Sequence, residues 1–226
     1  MTRATAETES RVEADRESRV AASNAVRRLI SHLRKTKAPR ELLQSVADES
    51  NALADRLASH DHPGPYAQHG LVVRFEEMDS VTGDLAEFFP YSPIIGPMNP
   101  VAPPVEFRLE GEELHAEHRF DVPYNGPPTG VHGGVVAMVF DELLGCLAAL
   151  LGVGGFTGTL TIRYRALTPL GQPIRMRSWL DRREGRKAFI HGTMHDGATL
   201  CAEAEGIFIR PTTSFVDAAL AENAER

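Results

Sequence analysis

The stretch Gly130-Val131-His132-Gly133-Gly134-Val135-Val136-Ala137-Met138-Val139-Phe140-Asp141-Glu142-Leu143-Leu144-Gly145 decides the fold. A glycine-rich turn leads into an apolar helix that continues through Cys146, Leu147, Ala148, Ala149, Leu150 and Leu151 and stops at Gly152. A helix that is apolar all round belongs inside a fold, wrapped by other elements. Asp141 is out of place there. An ionised carboxylate among apolar side chains is costly unless something pairs or uses it, so Asp141 is a candidate functional residue.

On both sides of the helix the apolar period is two. Upstream, Val105, Phe107 and Leu109 alternate with charges, Glu110-Gly111-Glu112 makes a turn, and Leu114, Ala116, His118 and Phe120 alternate again. The loop Tyr124-Asn125-Gly126-Pro127-Pro128-Thr129 then leads to the helix. Downstream, strands are predicted at 158–166, 174–181, 187–195 and 199–209, with hairpin signals at Glu184-Gly185-Arg186 and Asp196-Gly197 and a stop at Pro211. One long helix with an antiparallel sheet of about six strands curled around it is an α+β layout.

Farther out the pattern changes. Residues 1–60 are polar with helical periodicity: Val26, Leu29, Ile30 and Leu33 form one apolar stripe, Leu42, Val46, Leu53 and Leu57 another, and Pro39 divides them. Two amphipathic helices are expected, with the first ten residues disordered. Residues 61–104 are rich in Pro and Gly yet carry Phe75, Phe88, Phe89, Tyr91, Ile94 and Ile95, which suits an extended arm packed on the core. The resulting division is an N-terminal helical extension at 1–60, the arm at 61–104, the core domain at 105–211 and a C-terminal tail at 212–226.

The 226 residues are 42% hydrophobic and 24% charged, ordinary for a soluble protein. The charged N-terminus lacks the apolar stretch of a signal peptide, and the one long apolar run is interrupted by Asp141 and Glu142, so a cytoplasmic protein without membrane association is expected. Cys146 and Cys201 match neither a disulfide framework nor a metal-ligand spacing; both are read as packing residues, and no metal is implied. A net charge of -7 disfavours nucleic acid as a partner. Residues 160–190 nevertheless hold eight Arg and Lys against two acids, a local excess of +6. Arg182, Arg183, Arg186 and Lys187 cluster there around a hairpin turn, where they could meet a small polyanion or simply face solvent.

His132, Gly133 and Gly134, followed seven residues after the second glycine by Asp141, resemble the hotdog-fold acyl-CoA thioesterases of the phenylacetate-pathway (PaaI-like) type. The similarity spans residues 105–211, and the first hundred residues find no counterpart in it. The resemblance implies a hotdog fold, hydrolysis of a fatty or aryl acyl-CoA to free acid and CoA, and no cofactor. A thioester carbonyl becomes an oxyanion under attack, and a glycine at a helix N-terminus offers free N–H donors to such an anion. The backbone N–H groups of Gly133 and Gly134 are the candidate donors, and Asp141 is the general base or nucleophile, with Glu142 as the rival acid. In the family the histidine braces the turn, which assigns that role to His132. Asn125 matches loosely a loop Asn that polarises the carbonyl, and Thr157 a hydroxyl that orients the water. The basic hairpin would then receive the phosphates of coenzyme A.

Gly133 and Asp141 are eight residues apart, about 12 Å along a helix axis. One carbonyl cannot touch both, so a site using both is shared between subunits of a homodimer or homotetramer. The alternatives are a non-catalytic acyl-CoA-binding or regulatory hotdog module, and a hotdog dehydratase. The latter is disfavoured because no His follows Asp141 on the helix.

Overall fold

The structure is a computed structural model that describes residues 3–61 and 85–212. Phe75 and the first part of the expected arm, with the C-terminal tail beyond residue 212, lie outside the described residues. Helix α1 (Arg3–Lys35) begins inside the stretch expected to be disordered: its polar composition hides a continuous helix without a breaker. Helix α2 (Arg40–Ala58) starts after Pro39, which sits at the N-cap with φ -66°. Two compact units divide the chain: α1 as far as Arg34 clusters with the sheet, whereas α2 belongs to a second unit, and none of its side chains is buried.

Six strands form one antiparallel sheet: β1 (Arg108–Glu110), β2 (Glu113–His118), β3 (Phe156–Tyr164), β4 (Ile174–Glu184), β5 (Lys187–Asp196) and β6 (Thr199–Ile209). Their order is β1-β2-β4-β5-β6-β3, so β3, first after the long helix in sequence, is an edge. β1 is shorter than its alternation suggests because the Val105 N–H is donated to Ile94 O of the arm at 2.9 Å. The short helix α3 (Leu85–Phe88) opens the described part of that arm. Ile94, Ile95 and Ala102 of the arm are buried.

The long helix α4 (Gly133–Leu150) lies against this sheet, which makes the architecture a hotdog. Its residues Val139, Phe140, Leu143, Leu144 and Leu147 are fully buried with Ile174, Ile190 and Met194 from the strands. Close approach needs small residues beneath the helix. A Cβ at Gly192 would stand 2.7 Å from Leu144 Cδ1, and one at Gly206 would stand 3.0 Å from Leu144 Cδ2. Gly152, at φ +62°, turns the chain out of the helix where the sequence placed the stop. By length and composition α4 could cross a bilayer, yet half of it is buried within the protein.

The helix is not enclosed on every side. Gly134, Met138 and Asp141, at spacings of four and three, are exposed and form one open stripe along it. The expectation that Asp141 is surrounded by apolar side chains is thereby corrected. Hydropathy alone could not show the opening, because Met138 is as apolar as the buried residues around it.

Candidate active site

The turn into α4 is tightly stitched. His132 N–H donates to Tyr124 O at 2.8 Å, Val131 N–H to Thr168 O at 2.8 Å, and Gly126 N–H to Gly130 O at 3.0 Å. Gly126 approaches so closely that a Cβ there would lie 2.6 Å from the Cα of His132. Asn125 belongs to this stitching: its amide nitrogen donates to Gly130 O at 3.2 Å and to Pro127 O, while its amide oxygen accepts from Arg34 of α1 at 3.3 Å.

His132 is the N-cap of α4, with extended backbone at φ -62° and ψ 134°. Its Nδ1 accepts the Gly134 N–H at 2.9 Å, and its carbonyl accepts from Val135 and Val136. The first four N–H groups of a helix lack intrahelical partners. With Gly134 bound to the imidazole, Gly133 keeps an N–H for which no described residue supplies an acceptor. Tyr164, at the end of β3, donates its hydroxyl to Gly133 O at 2.8 Å and lays its ring beside the glycine. Sequence reasoning passed over Tyr164, because the contact depends on how β3 runs past the helix start.

Two turns farther on, Asp141 Oδ1 accepts from Thr157 Oγ1 at 2.8 Å. Thr157 reaches it from an irregular part of β3, where the register with β6 shifts between Thr157 and Thr159. Glu142, the neighbouring acid, faces another way. It accepts from Ser92 Oγ of the arm, and that same oxygen accepts the N–H groups of Ile94 at 3.1 Å and Ile95 at 3.2 Å. Burial pushes the Glu142 carboxyl above its ordinary range; the Ser92 bond opposes the shift and the nearby Asp141 charge adds to it. The two adjacent carboxylates therefore occupy different environments, one exposed beside a hydroxyl and one folded into the arm.

The basic residues gather at the other end of α4. Arg183, Arg186 and Lys187, with Gly152, Val153 and Arg210, line a cleft of about 160 Å³. Arg183 donates to Leu151 O at 3.3 Å and Arg210 to Gly152 O at 3.3 Å, so guanidinium groups meet carbonyls at the helix C-terminus. Arg182 turns away, paired with Asp181 and Glu184 at 2.7 Å each and stacked over Phe189. Arg210 completes the cleft, unforeseen in the sequence because it follows the last strand, distant from the hairpin.

A family model of the thioesterase superfamily matches residues 130–206. Over 91 residues the chain is 37% identical to the acyl-coenzyme A thioesterase THEM4 of Xenopus laevis, covering 39% of this chain and 41% of that protein. Over 87 residues it is 36% identical to the acyl-coenzyme A thioesterase THEM5 of Homo sapiens, covering 38% and 35%. The chain thus spans less than half the length of these curated relatives. A thioesterase superfamily protein of known crystal structure superposes with a TM-score of 0.72 at 30% identity, covering 84% of this chain and 94% of its own. That coverage exceeds what residues 105–211 can supply, so the N-terminal part has a structural counterpart after all.

Proposed function

This chain belongs to the thioesterase superfamily, and we propose that it hydrolyses acyl-CoA thioesters to free acid and coenzyme A. The observation that carries the proposal is Asp141, an exposed carboxylate aligned by the Thr157 hydroxyl at 2.8 Å on the same helix stripe as Gly134. In this reading Asp141 activates the attacking water as general base, and Thr157 orients the carboxylate or the water. The Gly133 N–H, at the positive end of α4, receives the developing oxyanion. His132 holds the turn by occupying the Gly134 N–H, which leaves Gly134 a supporting role. Asn125 keeps the loop in place.

The separation of about 12 Å between Gly133 and Asp141 along α4 supports a site assembled from two chains. Edge strand β3 offers the means, since it carries exposed Phe156 and Tyr164 and its outer backbone groups can pair with a second β3. Antiparallel pairing of that kind would run the two α4 helices in opposite directions. The basic C-terminal end of one helix would then approach the glycine turn of the other, where Arg183, Arg186 and Lys187 could meet the phosphates of coenzyme A.

The test is thiol release from a panel of acyl-CoA esters by the purified protein and its Asp141→Asn variant. A loss of at least about a hundredfold in kcat is expected with the fold intact, the scale of a lost general base. Wild-type protein that binds acyl-CoA without releasing thiol would establish a binding module instead.

A further inference from the structure

Between α1, the arm, the loop before α4 and α4 itself lies a cavity of about 490 Å³. Its walls are apolar: Ile30 from α1, Pro93 and Ile94 from the arm, and Val135 and Met138 from α4 all face it. The volume falls within the roughly 300–1,000 Å³ usual for small-molecule sites. Its place is informative. Val135 directly follows Gly134, and Met138 lies between Gly134 and Asp141 on the open stripe, so the cavity begins beside the candidate site.

Most polar groups of the lining are bound to the protein itself. Ser31 Oγ donates to Asp121, and the Tyr124 hydroxyl donates to Val101 O at 2.9 Å, its pKa pushed up to about 12, chiefly by burial. Arg27 donates to Pro97 O and Asn24, and its Nε is buried without an acceptor among the described residues. One such donor cannot replace the hydration of a carboxylate or phosphate, so the lining favours a hydrocarbon occupant. Ile30 and Met138, exposed apolar side chains on different elements, face one another's side of the same volume.

α1 is fixed as a wall by polar contacts that span the chain. Buried Ser23 donates to Met98 O at 2.8 Å, Arg27 reaches Pro97, Ser31 reaches Asp121, and Arg34 reaches Asn125. We propose that this cavity receives the acyl chain of the substrate and that α1, through Ile30, sets the chain length accepted. This rests on the hydrolase reading and specifies its substrate. The N-terminal helix is thereby a specificity element of the enzyme. Val101, on the arm, offers a second wall from which the same volume can be narrowed.

The experiment measures kcat/KM from butanoyl-CoA to octadecanoyl-CoA for the full chain and for Ile30→Trp, Val101→Phe and Ile30→Ala. Each methylene displaced from an apolar pocket is worth roughly fourfold in affinity. The two filling variants should lower the ratio of longest to shortest substrate at least about tenfold, whereas Ile30→Ala should move the optimum toward longer chains. Opposite shifts are a result that general damage to the fold does not give, and fillings from two walls guard against one variant misfolding. An unchanged length profile in the folded variants overturns the proposal while leaving hydrolysis standing. If the wild type hydrolyses no acyl-CoA, the hydrolase reading fails separately. Calorimetric binding of saturated fatty acids then decides the cavity: length-dependent binding weakened by Ile30→Trp and Val101→Phe supports it, and its absence overturns it.

Discussion

At Gly133 a single atom can be tested almost in isolation. Proline is well tolerated at the first position of a helix, and the residue before it must be extended, as His132 already is at ψ 134°. The atoms nearest to a Cβ on Gly133 would be those of the Tyr164 side chain, at 3.6 Å, an ordinary van der Waals contact. Gly133→Pro should therefore fold normally, as judged by circular dichroism and melting temperature, while removing the N–H assigned to the oxyanion. A fall in kcat of about a hundredfold or more is expected, and retention of wild-type turnover would assign the oxyanion elsewhere. Glu142 gives a stability test. Its raised folded pKa means that the native state holds the proton more tightly than the unfolded chain. The resulting stability is fully present below the ordinary value of 4.5 and is lost as pH rises toward the raised value. Glu142→Gln keeps an acceptor for Ser92 without the charge. Thermal melts should find this variant more stable than wild type at neutral pH, with the advantage vanishing toward pH 4.5.

Among the elements, the sheet and the central helix were legible because each states its period plainly. Alternation marked the strands, Glu184-Gly185-Arg186 and Asp196-Gly197 marked the hairpins, and Gly152 marked the helix end. What stayed hidden depends on neighbours far along the chain. The exposure of Asp141 follows from which face of α4 the sheet leaves open, the Tyr164 contact follows from the course of β3, and the burial of Glu142 follows from an arm fifty residues upstream that presents Ser92. The first turns of α1 were misread because a polar sequence without breakers supports either helix or disorder. The basic hairpin was visible as charge, but its division was not, since Arg182 is held by Asp181 and Glu184 while Arg183, Arg186 and Lys187 line the cleft beside Gly152. Reversing Arg183 and Arg186 to Glu should raise KM for acyl-CoA about tenfold or more, and raise it less for an acyl thioester lacking the nucleotide. Equal losses for both substrates would remove the phosphate role.

For the whole molecule, a site shared between chains has an arithmetic signature. Asp141→Asn and Gly133→Pro should each be inactive alone. A mixed dimer of the two contains one site built from an intact Gly133 and an intact Asp141, and one site with both replaced. Equal, randomly exchanged subunits should recover about a quarter of wild-type activity, since half the dimers are mixed and each has one working site. Coexpression followed by a turnover assay measures this directly; no recovery would mean that each chain carries its own complete site. Sedimentation of the wild type should accordingly show a dimer or larger at assay concentration.

Edge strand β3 also bears on how the protein behaves when it is dilute. Nine residues long, with an exposed Phe156 at one end and an exposed Tyr164 at the other, it stands at the edge of the sheet with β6 as its one neighbour among the described strands. Such an edge is a template for indiscriminate strand addition unless a correct partner covers it. Under the proposed pairing, newly made or freshly dissociated chains would face a race between finding one another in register and joining open-ended aggregates, and that pairing would also serve the protein as its safeguard against precipitation.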